Sequence, residues 1–246
     1  MGEKVKFVAF DLETLGDDPE HITGISCAAT LVHPNGPLRL WHSLQTLPDG
    51  RIADKMDEHD LIDMLLYLRA LDDQGVPTVT WNGCSFDFRV LAEQLPERYK
   101  SEAEYLCRRH YDPALQMLSE KGFMCGLEAA SVAMGARGKM HEMDGLTASK
   151  EWATTREKQD IILRYVGQDA TTTAETFAAF LNVGYLAWRT KSGGTSMWYP
   201  SGRVVRTVAE VIQNGFAGRP GWWSGESYPW TKERMIGWMS EKARQG

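Results

Sequence analysis

The segment Phe7–Gly16 reads FVAFDLETLG and combines a strand pattern with two acidic residues. The stretch from Val5 to Leu12 is apolar on both faces and rich in β-branched and aromatic residues, which is typical of a central strand. Because residues i and i+2 of a strand point to the same face, Asp11 and Glu13 should project side by side from its end. Two carboxylates in that position can hold one hard cation.

The segments after this strand predict a mixed sheet covered by helices. A turn signal, HPNGP at 33–37, separates two further apolar stretches and predicts a hairpin. Apolar residues at helical spacing follow it, interrupted by one short strand pattern. The predicted strands after the first cover 22–33, 38–44 and 76–81, and the predicted helices cover 57–71, 86–94, 113–121, 126–134, 157–181 and, near the end, 204–213.

The composition is that of a globular protein with one ordinary core. The 246 residues are 43% hydrophobic and 24% charged, which excludes a disordered or fibrous class. No run of about 18 apolar residues is present, and no apolar signal-peptide core follows the first residues, so we expect a cytoplasmic protein without a membrane partner. The four cysteines lack a paired CxxC spacing and should be reduced and buried. Cys107 and His110 form only half of a zinc-ligand spacing.

Two further acidic motifs lie downstream of the first. Asp87, in NGCSFDF, follows a predicted strand and the turn Asn82-Gly83, and should stand at a strand-to-helix opening. Tyr165 and Asp169, in RYVGQDATTT, are four residues apart and share one face of a predicted helix. Each motif has an ordinary structural interpretation, as a helix N-terminal acid or as a solvated helix pair. The significance lies in their joint occurrence.

The segments FDLETLG, NGCSFD and YVGQD together resemble the three motifs of the DEDD superfamily of 3′-5′ exonucleases, in that family's order. The resemblance covers about residues 5 to 181. The histidine branch of the family has a histidine five residues before the last aspartate, where this chain has Arg164, so the chain resembles the tyrosine-bearing DEDDy branch. The resemblance implies an α/β, ribonuclease-H-like fold with a mixed five-stranded sheet flanked by helices.

The same resemblance implies a catalytic site with two divalent metal ions, Mg²⁺ or Mn²⁺. Asp11 would bridge both ions, Glu13 and Asp169 would complete the first site, and Asp87 would hold the second largely through water. Tyr165 would orient the attacking water. The implied reaction is hydrolysis of phosphodiester bonds, which releases nucleoside monophosphates from the 3′ end of single-stranded DNA or RNA.

The resemblance also implies contacts to the terminal nucleotide next to the first two motifs. In the family, the residue at the Leu15 position is wedged against the last base. Phe86 has a second interpretation as a core residue, and the loop residues Lys139 and His141 either contact a phosphate or are solvated. The substrate-binding residues that we expect are Thr14, Leu15, Asn82 and Phe86.

Charge and aromatic content divide the chain near residue 187. Residues 1–187 contain 18 basic and 29 acidic residues, whereas residues 188–246 contain nine basic and four acidic residues and six of the nine tryptophans. We therefore expect an exonuclease domain over 1–187 and a small, basic, Trp-rich C-terminal extension over 188–246. Its rings either stack on the bases of a single strand or pack onto the nuclease body, and we expect packing for most of them.

Three alternatives to an exonuclease acting on DNA remain at this stage. The chain could be a ribonuclease that trims RNA 3′ ends, or a nucleic-acid-binding module without activity, although no expected carboxylate is missing. It could also hydrolyse sugars with Asp11 and Glu13 as an acid/base pair, which leaves Asp87, Tyr165 and Asp169 without a role. The sequence decides neither between DNA and RNA nor on a protein partner.

Overall fold

The computed structural model describes residues 5–16, 21–138, 140, 143–225 and 227–245. Within these ranges four strands form a mixed sheet in the order β3-β2-β1-β4, and two more strands form a separate hairpin. The strands are β1 (Phe7–Leu15), β2 (Gly24–His33), β3 (Leu38–His42), β4 (Thr78–Val79), β5 (Leu186–Arg189) and β6 (Thr195–Trp198). The helices are α1 (Glu58–Asp73), α2 (Asp87–Gln94), α3 (Glu97–Arg109), α4 (Pro113–Lys121), α5 (Leu127–Met134), α6 (Gly145–Glu151), α7 (Arg156–Val183), α8 (Val208–Asn214), α9 (Lys232–Ile236) and α10 (Glu241–Arg244).

Strand β1 is central and is covered on both faces, as its apolar pattern predicts. It runs antiparallel to β2 and parallel to β4. Val8, Phe10 and Leu12 are buried in a core that includes residues of α1, α2 and α3. Phe7 and Ala9 point the other way and are buried with residues of α7. The two acids of β1 continue this second face, because side chains alternate along a strand.

Helix α7 brings the third motif to that face of the sheet. It begins after Thr155, whose side chain accepts a hydrogen bond from the Lys158 N–H, and it ends at Gly184, which has a left-handed φ of 73°. Its path runs close to β3: a Cβ on Gly167 would lie 3.2 Å from a methyl carbon of Leu38. A side chain there would require the Leu38 side chain or the helix to shift by a few tenths of an ångström.

The prediction of five strands in one sheet is wrong, since the mixed sheet has four strands in the part of the chain that the structure describes. The place beside β4 is taken by a single residue, Tyr111, which donates to the Thr78 carbonyl at 3.0 Å and accepts from the Thr80 N–H at 3.1 Å. Asp112 already caps the next helix, and Pro113 begins it. The extended stretch between α3 and α4 is therefore too short to form a strand.

The other predicted elements lie within a few residues of their predicted bounds, but the sequence analysis missed four helices, α3, α6, α9 and α10, and the two strands of the β5–β6 hairpin. The predicted strand at 76–81 is shortened to β4, because the chain leaves the sheet at Trp81 and turns. Helix α3 was missed because its sequence, ERYKSEAEYLCRR, is mostly polar and buries only Ala103, Leu106 and Cys107. Helix α6 was missed because it is short and follows a glycine-containing stretch.

The C-terminal segment 188–246 contributes to the same buried cluster as the body of the protein. Val208, Val211 and Ile236 are buried in the core that contains Val8 and Phe88. Of the six tryptophans in this segment, Trp198 is buried and Trp222 is exposed. The division into two domains stays a prediction.

All four cysteines are buried and none forms a disulfide, as we expected. In the part of the chain that the structure describes, no helix has both the length and the apolar character needed to cross a membrane.

Candidate active site

Three carboxylates from two distant motifs meet where the carboxyl end of β1 faces α7. One oxygen from each of Asp11, Glu13 and Asp169 lies within 4.8 Å of the others. Glu13 and Asp169 are buried, and Asp11 is half-buried. The alternation of β1 aims the first two at α7, and the α7 surface opposite them carries the third.

Tyr165 lies one turn before Asp169 on the same face of α7, and its ring is buried. Burial raises the pKa of its hydroxyl well above the usual value, and the nearby charges of Glu13, Asp169 and Asp11 raise it further. A hydrogen bond to the Asp169 carboxylate acts in the same direction. The hydroxyl is therefore protonated at neutral pH and donates to Asp169.

Asp87 reaches the same place from the opposite face of the sheet. It is the first residue of α2, and its Oδ1 accepts a hydrogen bond from the Leu12 N–H at 3.0 Å. Strand β4 pairs with β1 only as far as Ala9, so beyond that point the Asp87 carboxylate binds the β1 backbone in place of a strand. Asp87 is buried beside the group of three without belonging to it.

The turn before α2 holds Asp87 in place through Asp112, a residue that sequence reasoning missed. Asn82 has a left-handed φ of 66°, a conformation that asparagine tolerates better than most residues. The N–H groups of Asn82 and Cys84 donate to the two oxygens of Asp112 at 3.0 and 3.1 Å. Burial raises the pKa of Asp112, and these and other backbone donors act against that rise. In the sequence, the position of Asp112 directly before Pro113 predicts a helix cap, but it does not predict the contact of Asp112 with the turn at Asn82.

The five predicted catalytic residues line one cavity of about 290 Å³. Three of the four predicted substrate-binding residues, Thr14, Asn82 and Phe86, line it as well. Leu15 does not: it packs on the buried cluster formed by α7 and β2. Phe86 also packs against the main core, as its second interpretation predicts, whereas its contact with substrate stays a prediction. The substrate contacts themselves stay predictions, and Lys139 and His141 lie outside the described residues.

Helix α6 forms a wall of the cavity that the sequence did not predict. Gly145, Leu146 and Ser149 line it. The Ser149 hydroxyl donates to the carbonyl of Gly16 at 2.7 Å, which ties the helix to the end of β1. Asp144 caps the helix by accepting from the Thr147 N–H at 2.7 Å. The segment DGLT at 144–147 has an aspartate suited to a helix N-cap, and this feature could have predicted the helix.

The donor set fits a hard divalent cation. Three carboxylates offer oxygen ligands at short mutual distances, and none of the described residues that line the cavity is a lysine or arginine that would neutralise them. The Asp11, Glu13 and Asp169 group could therefore bind a metal ion. Cys107 and His110 belong to no such group among the described residues. His110 instead bonds the Thr80 hydroxyl at 3.0 Å.

Comparison with known families agrees with this geometry. A family model described as RNase_H superfamily matches residues 8–179, which contain all three motifs. A comparison with curated proteins returned no match. A domain of this kind indicates a hydrolase of the nuclease type with a nucleic-acid substrate. Because the match spans well over half of the sequence, the chain belongs to the RNase H superfamily.

Proposed function

We propose that the protein is a metal-dependent 3′-5′ exonuclease of the DEDDy type. It releases nucleoside monophosphates from the 3′ end of single-stranded DNA or RNA. One observation carries the proposal: four carboxylates and a tyrosine hydroxyl, from three motifs spread over the chain, line a single cavity. A glycosidase-type acid/base pair would use only two of these five groups.

Asp11, Glu13 and Asp169 are the residues that would hold a first divalent ion, and Asp87 would help to hold a second. Mg²⁺ and Mn²⁺ suit this oxygen-only donor set. Bound ions of this type polarise a phosphodiester and lower the pKa of water. Without cations the carboxylates repel the phosphates of a polyanion, so binding at the cavity should depend on the metal.

Tyr165 is a hydrogen-bond donor in this proposal and not a proton acceptor. Its raised pKa keeps the hydroxyl protonated over the whole range in which the enzyme would work. It cannot remove a proton from water as a phenolate, but its hydroxyl can position a water molecule next to Asp169. Asp87 has a double role, because one of its oxygens also binds the β1 backbone.

The test is incubation with 5′-labelled single-stranded DNA and RNA in Mg²⁺, Mn²⁺ or EDTA. We expect a ladder that shortens from the 3′ end in either metal and no cleavage in EDTA. A 3′-phosphorothioate end should delay the first product, whereas the same group at the 5′ end should not. Cleavage in EDTA, or internal cuts in a circular strand, would contradict the proposal. Cleavage of RNA alone would favour the RNA-trimming ribonuclease, and binding without cleavage would favour a binding module.

Replacing Tyr165 with phenylalanine should slow cleavage by about 10 to 100-fold, because the ring remains and only the positioning hydroxyl is lost. Metal binding, measured by calorimetry with Mn²⁺, should stay within about twofold, since the carboxylates are intact. Tyr185→Phe removes a hydroxyl outside the cavity and is the matched control. A Tyr165→Phe protein that cleaves as fast as the wild type, or that loses its metal, would refute this role.

A further inference from the structure

A second cavity adjoins the acidic one and has the opposite charge. It measures about 470 Å³, and Asn82 and Phe86 line both cavities. Arg89 and Arg234 line the second cavity, and none of its described lining residues is acidic. Trp230 adds an aromatic ring to its wall. We call it the basic cavity.

The geometry of α2 separates the two charges. Asp87 and Arg89 are two residues apart on the helix, which places their side chains about 200° apart around its axis. Asp87 therefore points to β1 while Arg89 points to the other side. The Arg89 Nε donates to the Ser85 carbonyl at 3.0 Å, and the guanidinium also lies 3.3 Å from the Glu93 carboxylate. These contacts hold the Arg89 side chain against the surface of α2.

The C-terminal segment supplies the other wall of the basic cavity and is anchored to the second motif. The Trp238 indole N–H donates to the carbonyl of Cys84 at 2.8 Å. The ring of Trp230 makes edge contacts with Trp223 and Tyr228, at centroid distances of 5.3 and 6.0 Å. Trp230 is thus fixed by neighbouring rings and needs little ordering when a ligand binds.

We propose that the basic cavity binds the nucleotides on the 5′ side of the scissile bond in a single-stranded substrate. This inference rests on the proposed exonuclease function, in which the 3′-terminal nucleotide occupies the acidic cavity. The rest of the strand must then leave past a shared wall, and Asn82 and Phe86 form that wall.

The chemistry of the lining selects this ligand class. Guanidinium groups bind phosphate oxygens with two parallel hydrogen bonds, and aromatic rings stack on bases that are not paired. A duplex keeps its base faces covered, so Trp230 would have nothing to stack on. The acidic cavity beside it repels phosphate when no cation is present, which leaves the basic cavity as the point of attachment for the strand.

The test compares two substrates that differ only in their need for the basic cavity. One is a single-stranded 12-mer, and the other is the p-nitrophenyl ester of thymidine 5′-monophosphate, which has one nucleotide. The variants are Arg89→Gln, Arg234→Gln and Trp230→Leu. The matched controls are Lys232→Gln, on the same helix as Arg234, and Trp222→Leu, at an exposed ring of the same segment. Near-ultraviolet circular dichroism checks the fold of each protein.

Each of the three variants should raise the KM for the 12-mer by about tenfold. The loss in kcat/KM should be at least several times larger for the 12-mer than for the one-nucleotide ester. Binding of the 12-mer, followed by fluorescence anisotropy in EDTA at increasing salt, adds an independent readout. The log–log salt slope should fall by about 0.7 for each arginine removed, whereas a purely structural change would not alter it in this way. The two control variants should behave as the wild type.

The outcomes separate this inference from the proposed function. If the wild type cleaves the 12-mer and the arginine variants keep its KM and salt slope, the inference is wrong and the exonuclease function stands. If the wild type cleaves neither substrate but binds the 12-mer through Arg89 and Arg234, the exonuclease function is refuted, whereas strand binding by the basic cavity is supported. If the wild type neither cleaves nor binds it, both are overturned. A preference of the basic cavity for duplex over single strands would also overturn the inference.

Discussion

Replacing Asp169 with asparagine should lower the rate of exonuclease cleavage by about 10³-fold, the largest effect that we expect from one substitution. The change removes one negative charge and hardly alters the volume. It exchanges a carboxylate ligand for a neutral amide, which binds hard cations more weakly, in the group in which Asp11, Glu13 and Asp169 lie within 4.8 Å of one another. The rate is measured on 5′-labelled single strands in Mg²⁺ and in Mn²⁺, and Mn²⁺ affinity is measured by calorimetry.

A measurement of stability distinguishes this loss of a ligand from a loss of structure. Without metal, carboxylates at such distances repel one another, so Asp169→Asn should unfold at the same or a higher urea concentration than the wild type in EDTA. Asp160→Asn, on the same helix but paired with Arg156 near the surface, is the matched control. A variant that is inactive because it is destabilised would refute the assignment, as would one that cleaves at the wild-type rate.

Lowering the pH from 7.5 to 5 should reduce the free energy of unfolding by about 2 kcal/mol through His110 alone. This side chain is fully buried, and burial lowers its pKa from 6.5 to about 4, with the hydrogen bond to the Cys107 carbonyl acting in the opposite direction. Because a carbonyl only accepts, His110 Nδ1 donates to Cys107 and Nε2 accepts from the Thr80 hydroxyl. The neutral ring satisfies both partners.

Stability falls as the pH falls because the folded and unfolded chains bind different numbers of protons at His110. Between pH 6.5 and 4 the unfolded chain binds a proton at this histidine and the folded chain does not, so stability is complete above pH 6.5 and is lost as the pH falls towards 4. Urea unfolding of the wild type and of His110→Gln at several pH values checks this. His59→Gln, which removes an exposed imidazole of α1, is the matched control. An NMR titration in which the His110 ring is protonated by pH 6 would contradict it.

This buried histidine also concerns the active site, because Thr80 connects it to the turn of the second motif. The Gly83 N–H donates to the Thr80 hydroxyl at 3.1 Å, and a Cβ on Gly83 would lie only 2.3 Å from that oxygen. The turn that sets the direction of α2, and with it Asp87, is therefore supported by the Thr80–His110 pair as well as by the Asp112 carboxylate.

Local patterns in the sequence were sufficient to predict the central strand, the hairpin after it and the residues that share one face of the long helix. The alternation of β1 and the four-residue spacing of Tyr165 and Asp169 follow from backbone geometry alone, so their side-by-side placement was predictable. The same holds for helix α4, whose predicted bounds, Pro113 to Lys121, are those observed. Capping by Asp112 and the proline after it are short-range signals.

Contacts between distant segments decided the rest. Whether Tyr111 would extend into a fifth strand depended on how soon α4 begins beside β4, and the support of Asn82 and Cys84 by Asp112 joins residues about thirty positions apart. The basic cavity exists only because Trp230 and Arg234 pack beside α2. Periodicity reports which face of an element is apolar, but it does not report which partner covers that face. The three motifs were therefore visible in the sequence, whereas the opposite charges of the two adjoining cavities could be seen only in the folded chain. The reason is that each cavity draws its charged groups from segments far apart in the sequence.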